Sequence, residues 1–78
     1  MIAIQSPHQL GVAVRNTRKH LELTQPQLAL AAGVGVRFIV DLEAGKPTLR
    51  LESILKVINA LGGEIHISGL FNELSEHH

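Results

Sequence analysis

Residues 25–44 read QPQLALAAGVGVRFIVDLEA, and the fold turns on them. Leu28, Ala32, Val34, Ile39 and Leu42 are apolar at intervals that put them on the facing sides of two short helices. Ala29 is small where helices crossing at about 90–120° must approach closely. Gly33 can take the left-handed conformation that ends the first helix and aims the second. The spacing predicts helices over about 25–32 and 36–44, with Gly33-Val34-Gly35 as the turn between them. Gly45 stops the second helix and Pro47 prevents its continuation.

Upstream, Ser6-Pro7-His8-Gln9 reads as a helix start. Ser6 can cap, Pro7 suits the first helical position, and Gln9 can complete a capping box. Leu10, Ala13, Val14, Thr17 and Leu21 then share one face, which predicts a helix over about 7–21. Thr24, with Gln27 three residues later, repeats the capping signal before the second helix. Downstream, Leu51, Ile54, Leu55, Ile58 and Leu61 mark a fourth helix, closed by Gly62-Gly63. The period then changes. In Glu64-Ile65-His66-Ile67-Ser68 apolar and polar residues alternate, as in a short strand with Ile65 and Ile67 on one face. A lone strand cannot satisfy its backbone groups. Met1–Ile4 is a weak internal partner, and a second copy of the chain is a simpler one. The expected dimer contacts are Leu61, Ile65, Ile67 and Leu70.

The 78 residues allow one domain, with the strand near 64–68 and a short tail over 70–78. A chain this short buries little of its apolar surface alone, so a partner subunit would help it. There is no cysteine, which excludes a disulfide framework and thiol chemistry. No apolar run approaches the roughly 18 residues of a membrane span. The first ten residues lack the pattern of a signal peptide, so a cytoplasmic location is expected. HExxH, P-loop and GxSxG patterns are absent, which argues against an enzyme. His8, His20 and His66 have no ligand spacing, so no metal and no cofactor are expected. Gly33-Val34-Gly35 is no dinucleotide fingerprint, because no strand precedes it.

Lysine plus arginine and aspartate plus glutamate are equal, at 7 each. The zero hides a split. Residues 1–50 hold Arg15, Arg18, Lys19, Arg37, Lys46 and Arg50 against Glu22, Asp41 and Glu43, a net of +3. Residues 51–78 hold Lys56 against Glu52, Glu64, Glu73 and Glu76, a net of −3. The basic half contains the paired short helices. Neutrality therefore does not exclude a nucleic-acid partner, but it does predict weak non-specific affinity.

Residues 25–44 satisfy the helix-turn-helix pattern at every restricted position. The runs LTQPQLA (23–29), AGV (32–34) and FIVDLEAGKPT (38–48) further resemble the Xre/Cro-type helix-turn-helix family of repressors, over about residues 10–62. GKPT followed by LRLESILKVINALG and a terminal strand is similar to the HipB-type antitoxins. The resemblance implies a mainly α, lambda-repressor-like bundle of four to five helices, with a C-terminal strand pairing across a homodimer. It implies a sequence-specific repressor, associated with the nucleoid, that binds double-stranded DNA at a near-palindromic operator. In the narrower group such a protein represses its own operon and neutralises a HipA-type Ser/Thr kinase toxin. Two alternatives stand beside it: a phage-type or orphan Xre regulator without a toxin, and a protein-interaction module with weak DNA binding.

Matched to the family motif, the base-facing positions fall on Gly35, Val36, Arg37, Val40 and Asp41. Arg37 has the fork that bonds guanine O6 and N7, worth roughly 1–3 kcal/mol of discrimination. Val36 suits a thymine methyl. Gly35, Val36 and Val40 stand where the family usually has polar residues, which implies sparse hydrogen bonding and more reliance on DNA shape. Gln25 falls on a phosphate contact at a helix start. Lys46, Thr48 and Arg50 fall on a stretch used against the DNA backbone. Arg18 and Glu43 fall on a partly buried structural ion pair.

Overall fold

The computed structural model describes residues 1–71. The tail expected over 70–78 lies mostly outside them. Four helices form, α1 (Pro7–His20), α2 (Gln25–Ala32), α3 (Val36–Glu43) and α4 (Leu51–Ala60). α2 ends where the sequence reading put it, and the other three end one residue short.

Capping explains the starts. The Ser6 side chain accepts a hydrogen bond from the Gln9 amide at 3.1 Å. The expected box does not close on Ser6, because Gln9 Oε1 reaches one residue further back, to the Gln5 amide. At α2 the box is complete: Thr24 Oγ1 accepts from the Gln27 amide, and Gln27 Oε1 accepts from the Thr24 amide. All four helices end the same way. The amides of Leu23, Val34, Lys46 and Gly63 donate back to the carbonyls of Arg18, Ala29, Asp41 and Ile58. Each closure needs one left-handed residue, supplied by Glu22, Gly33, Gly45 and Gly62. Glycine takes this conformation freely at Gly33, where α2 turns into α3; Glu22, with φ 59°, does so against its Cβ.

α3 packs against α1 and α2, and α2 also packs against α4. The core is Val14, Leu28, Ala29, Ile39, Leu42 and Val57, with Ala32 and Val34 half-buried against it. Every small or apolar position read from residues 25–44 therefore faces inward. α1 crosses the end of α3 at Gly11, which is buried. A Cβ there would lie 2.5 Å from the Leu42 carbonyl oxygen and 2.8 Å from that of Glu43.

Helix α4 departs from its expected face. Val57 is its fully buried residue, flanked by half-buried Ile54, Ile58 and Leu61, while Leu51 and Leu55 point outward. The helix carries two apolar stripes, and packing on α2 uses only one. Residues 64–68 are outside any helix and form no strand with another described segment. The pairing expected for them is not made within one chain.

Candidate nucleic-acid interface

The N-cap of α3 is Gly35, with extended backbone and no side chain to cap the first turn. Two residues later Arg37 projects with its side chain 84% exposed. Val36 beside it is 46% exposed, a large apolar group at the surface. Val40, one turn on, is half-buried, so its methyl groups are only partly available.

Asp41 is drawn into a network that the sequence reading did not foresee. Its carboxylate lies 3.2 Å from Arg37 Nε and 3.7 Å from Lys46 Nζ, and it is only 18% exposed. One acidic group thus tethers a helix residue and a loop residue on the same surface. The Arg37–Asp41 spacing of four along a helix was the available signal. No local rule points to Lys46, which arrives through the turn at Gly45. Thr48 is exposed. Arg50 is exposed and lies 3.6 Å from Glu52. Neither joins the Asp41 network. The structure therefore groups Arg37, Asp41 and Lys46, and leaves Thr48 and Arg50 further along the chain.

Behind this surface lies the Arg18–Glu43 pair. Arg18 Nε donates to Glu43 Oε2 at 2.6 Å and Nη2 donates to Oε1 at 2.9 Å. The side chains are 10% and 4% exposed. Arg18 Nη1 also donates to the Leu23 carbonyl at 2.8 Å, so one guanidinium fixes the end of α3 and the α1–α2 loop. The hydrogen bond to Glu43 raises the Arg18 pKa above its ordinary value; burial opposes this, and the Glu43 charge adds to it. Gln25 is tied to the same pair. Its Nε2 donates to Glu43 Oε1 at 3.2 Å. In the free protein the Gln25 amide thus faces inward, and a phosphate would have to compete with Glu43 for it.

Of the expected dimer contacts, Leu61 is half-buried, while Ile65, Ile67 and Leu70 are exposed. His66 Nε2 lies 2.9 Å from Glu64 Oε2, and both side chains are exposed. No described helix is long and apolar enough to cross a membrane.

Comparison with known proteins fits this geometry. The Helix-turn-helix family model HTH_3 matches residues 14–67. The chain is 52% identical over 64 residues to the Uncharacterized HTH-type transcriptional regulator y4mF of Sinorhizobium fredii (strain NBRC 101917 / NGR234), covering 82% of this chain and 84% of that protein. Among solved structures, a chain of the HipA-HipB-O2-O3 complex superposes with a TM-score of 0.81 at 25% identity, covering 88% of this chain and 97% of that one. The HipB-O4 20mer complex gives the same values. In the HipB-O1-O2 complex the TM-score is 0.80 and all of that chain is covered.

Proposed function

The chain belongs to the Helix-turn-helix family of DNA-binding transcriptional regulators, and from that premise we propose that it is the antitoxin of a HipBA-type operon. It represses its own promoter as a homodimer and binds a HipA-type Ser/Thr kinase toxin. It acts in the cytoplasm, on the nucleoid. The observation that carries this reading is the likeness to the HipA-HipB-O2-O3 complex over 88% of the chain, well beyond the helix-turn-helix alone.

In this reading each subunit lays α3 in a major groove, with its N-terminal end toward the bases. Arg37 is the hydrogen-bonding reader and Val36 meets a thymine methyl. Lys46, Thr48 and Arg50 contact phosphates, and Gln25 does so after leaving Glu43. Gly35 lets the α3 backbone come close, and Val40 lies at the edge of the contact. The two recognition helices address half-sites about one helical turn apart, about 34–36 Å, so the operator is near-palindromic.

Footprinting on the gene's own upstream region tests this. Two protected half-sites are expected, with protection lost or blurred for Arg37→Ala. That variant should lower the ratio of operator to random-DNA affinity by roughly 1–3 kcal/mol. An unprotected upstream region overturns autorepression, and an unchanged ratio removes Arg37 as a base reader. Co-purification of a kinase-sized partner from the native host separates the antitoxin from an orphan regulator.

The second reading is a protein-interaction module with weak DNA binding. The zero net charge favours it, as does the carboxylate of Asp41 beside Arg37 and Lys46. DNA affinity that stays flat between about 50 and 200 mM salt would select it, because phosphate contacts lose orders of magnitude over that range.

A further inference from the structure

Two segments lie outside the helical bundle: residues 1–5 lead into α1, and residues 63–68 leave α4. Both border one open groove of about 1190 Å³, whose floor includes Leu10 and Ala13 of α1 and Ile58 and Leu61 at the end of α4. Among the described residues, no backbone–backbone hydrogen bond involves 1–5 or 64–68. Each segment carries isoleucine at alternate positions. Ile2 and Ile4 are 66% and 40% exposed, and Ile65 and Ile67 are 46% and 73% exposed.

These features define the occupant. The groove is bordered by two stretches whose backbone N–H and C=O groups make no backbone–backbone hydrogen bond, so it suits an extended strand that bonds on both edges. Its apolar floor suits a strand with an apolar side chain at every second residue. Residues 64–68 of a second copy have that character. Placing them there in one copy places them there in the other, which gives a closed, self-complementary contact.

With residues 64–68 paired antiparallel to their twin, as the family resemblance implies, we propose that Met1–Gln5 of each chain adds the outer strand against the twin's 64–68. The result is a four-stranded intersubunit sheet lying over α1 and the end of α4. The N-terminal segment supplies what the C-terminal strand alone lacks. A two-stranded ribbon is marginal in water, whereas three or more strands on an apolar face are stable. This inference rests on the homodimer reading above and adds the N-terminal segment to it.

Sedimentation equilibrium of the full chain tests it, with Ile2→Lys/Ile4→Lys, Ile65→Lys/Ile67→Lys and, outside the groove, Leu30→Lys. The expected result is a dimeric wild type and Leu30→Lys variant, and a monomeric Ile65→Lys/Ile67→Lys variant. For Ile2→Lys/Ile4→Lys the dimer should be at least about ten-fold weaker, since cross-strand apolar pairs are lost at both outer edges. Helical circular dichroism should be unchanged there, because Ile2 and Ile4 precede α1. Hydrogen exchange on the wild-type dimer gives a second readout, with slowed amides in 2–4 and 64–68; the Gln5 amide already donates to Gln9. An unchanged dimer constant for Ile2→Lys/Ile4→Lys, or free exchange at 2–4, overturns the outer strand and leaves the dimer standing. A wild type that stays monomeric overturns both.

Discussion

Residues 25–50 and the two terminal segments meet their polar groups in opposite ways. Around the helix-turn-helix, capping side chains close α2, backbone bonds close the helix ends, and Glu43 accepts from both Arg18 and Gln25. The shape is set before any partner arrives. Along 1–5 and 64–68 the backbone has no backbone partner and the isoleucines face solvent. Under the proposed homodimer, a second chain completes that region. The contrast separates two kinds of recognition. A reading head for a rigid duplex gains from being fixed in advance, because little ordering cost remains at binding. A strand-to-strand contact is built from the exposed backbone itself. Variants on the fixed side should therefore change folding most, and variants on its outer surface should change DNA selectivity with little effect on folding.

The largest effect is expected at the buried ion pair. Glu43→Ala leaves the Arg18 guanidinium without its bidentate partner in a site that water scarcely reaches. Breaking one side of such a pair costs about 3–5 kcal/mol. Urea denaturation should show this as a lowered midpoint with little change in slope. Replacing both partners, as Arg18→Met with Glu43→Leu, should recover most of the loss, because the penalty is an unpaired charge rather than a missing attraction. A loss below about 1 kcal/mol for Glu43→Ala would show that the pair does not hold α3 to α1.

Gly11→Ala comes next. Alanine is the better helix former by about 1 kcal/mol. Here its methyl group would meet two backbone carbonyls at the end of α3, neither of which can swing aside. Overpacking of this kind costs about 1–3 kcal/mol. A net loss of stability is expected despite the gain in propensity, read by thermal unfolding. A stabilised variant would mean that α1 and α3 separate easily, contrary to the fixed side of the comparison.

These two sites also show what the sequence made legible. The core of residues 25–44 could be read because its constraints are local: apolar spacing, one small residue and one left-handed glycine. Arg18 and Glu43 lie 25 residues apart, and no periodicity pairs them; only the resemblance to a known family did. Gly11 sat inside a helical pattern with no visible reason, since the carbonyls that crowd it come from another helix. On α4 the sequence offered two apolar stripes, and the choice of Val57 over Leu51 and Leu55 was made by packing on α2. For residues 64–68 the alternation was plain, but no described segment of the same chain pairs with them.

The smallest effect on folding, and the sharpest test of the outer surface, is expected from Asp41→Asn. Its contacts with Arg37 and Lys46 involve largely exposed cations, so folding should change by less than about 1 kcal/mol. DNA binding should change in two ways at once. Removing the carboxylate frees two cations on the surface proposed to face DNA, so affinity for random DNA should rise several-fold and its salt dependence should steepen. Arg37 also loses the anchor that limits its orientations, so the operator should gain less than random DNA and the ratio between them should fall. The resemblance instead places Asp41 at a base-facing position, where its carboxylate would accept from cytosine N4. That role predicts the opposite pattern: operator affinity falls while random-DNA affinity stays level. Titrations of both DNAs at two salt concentrations therefore decide whether Asp41 reads a base or restrains Arg37.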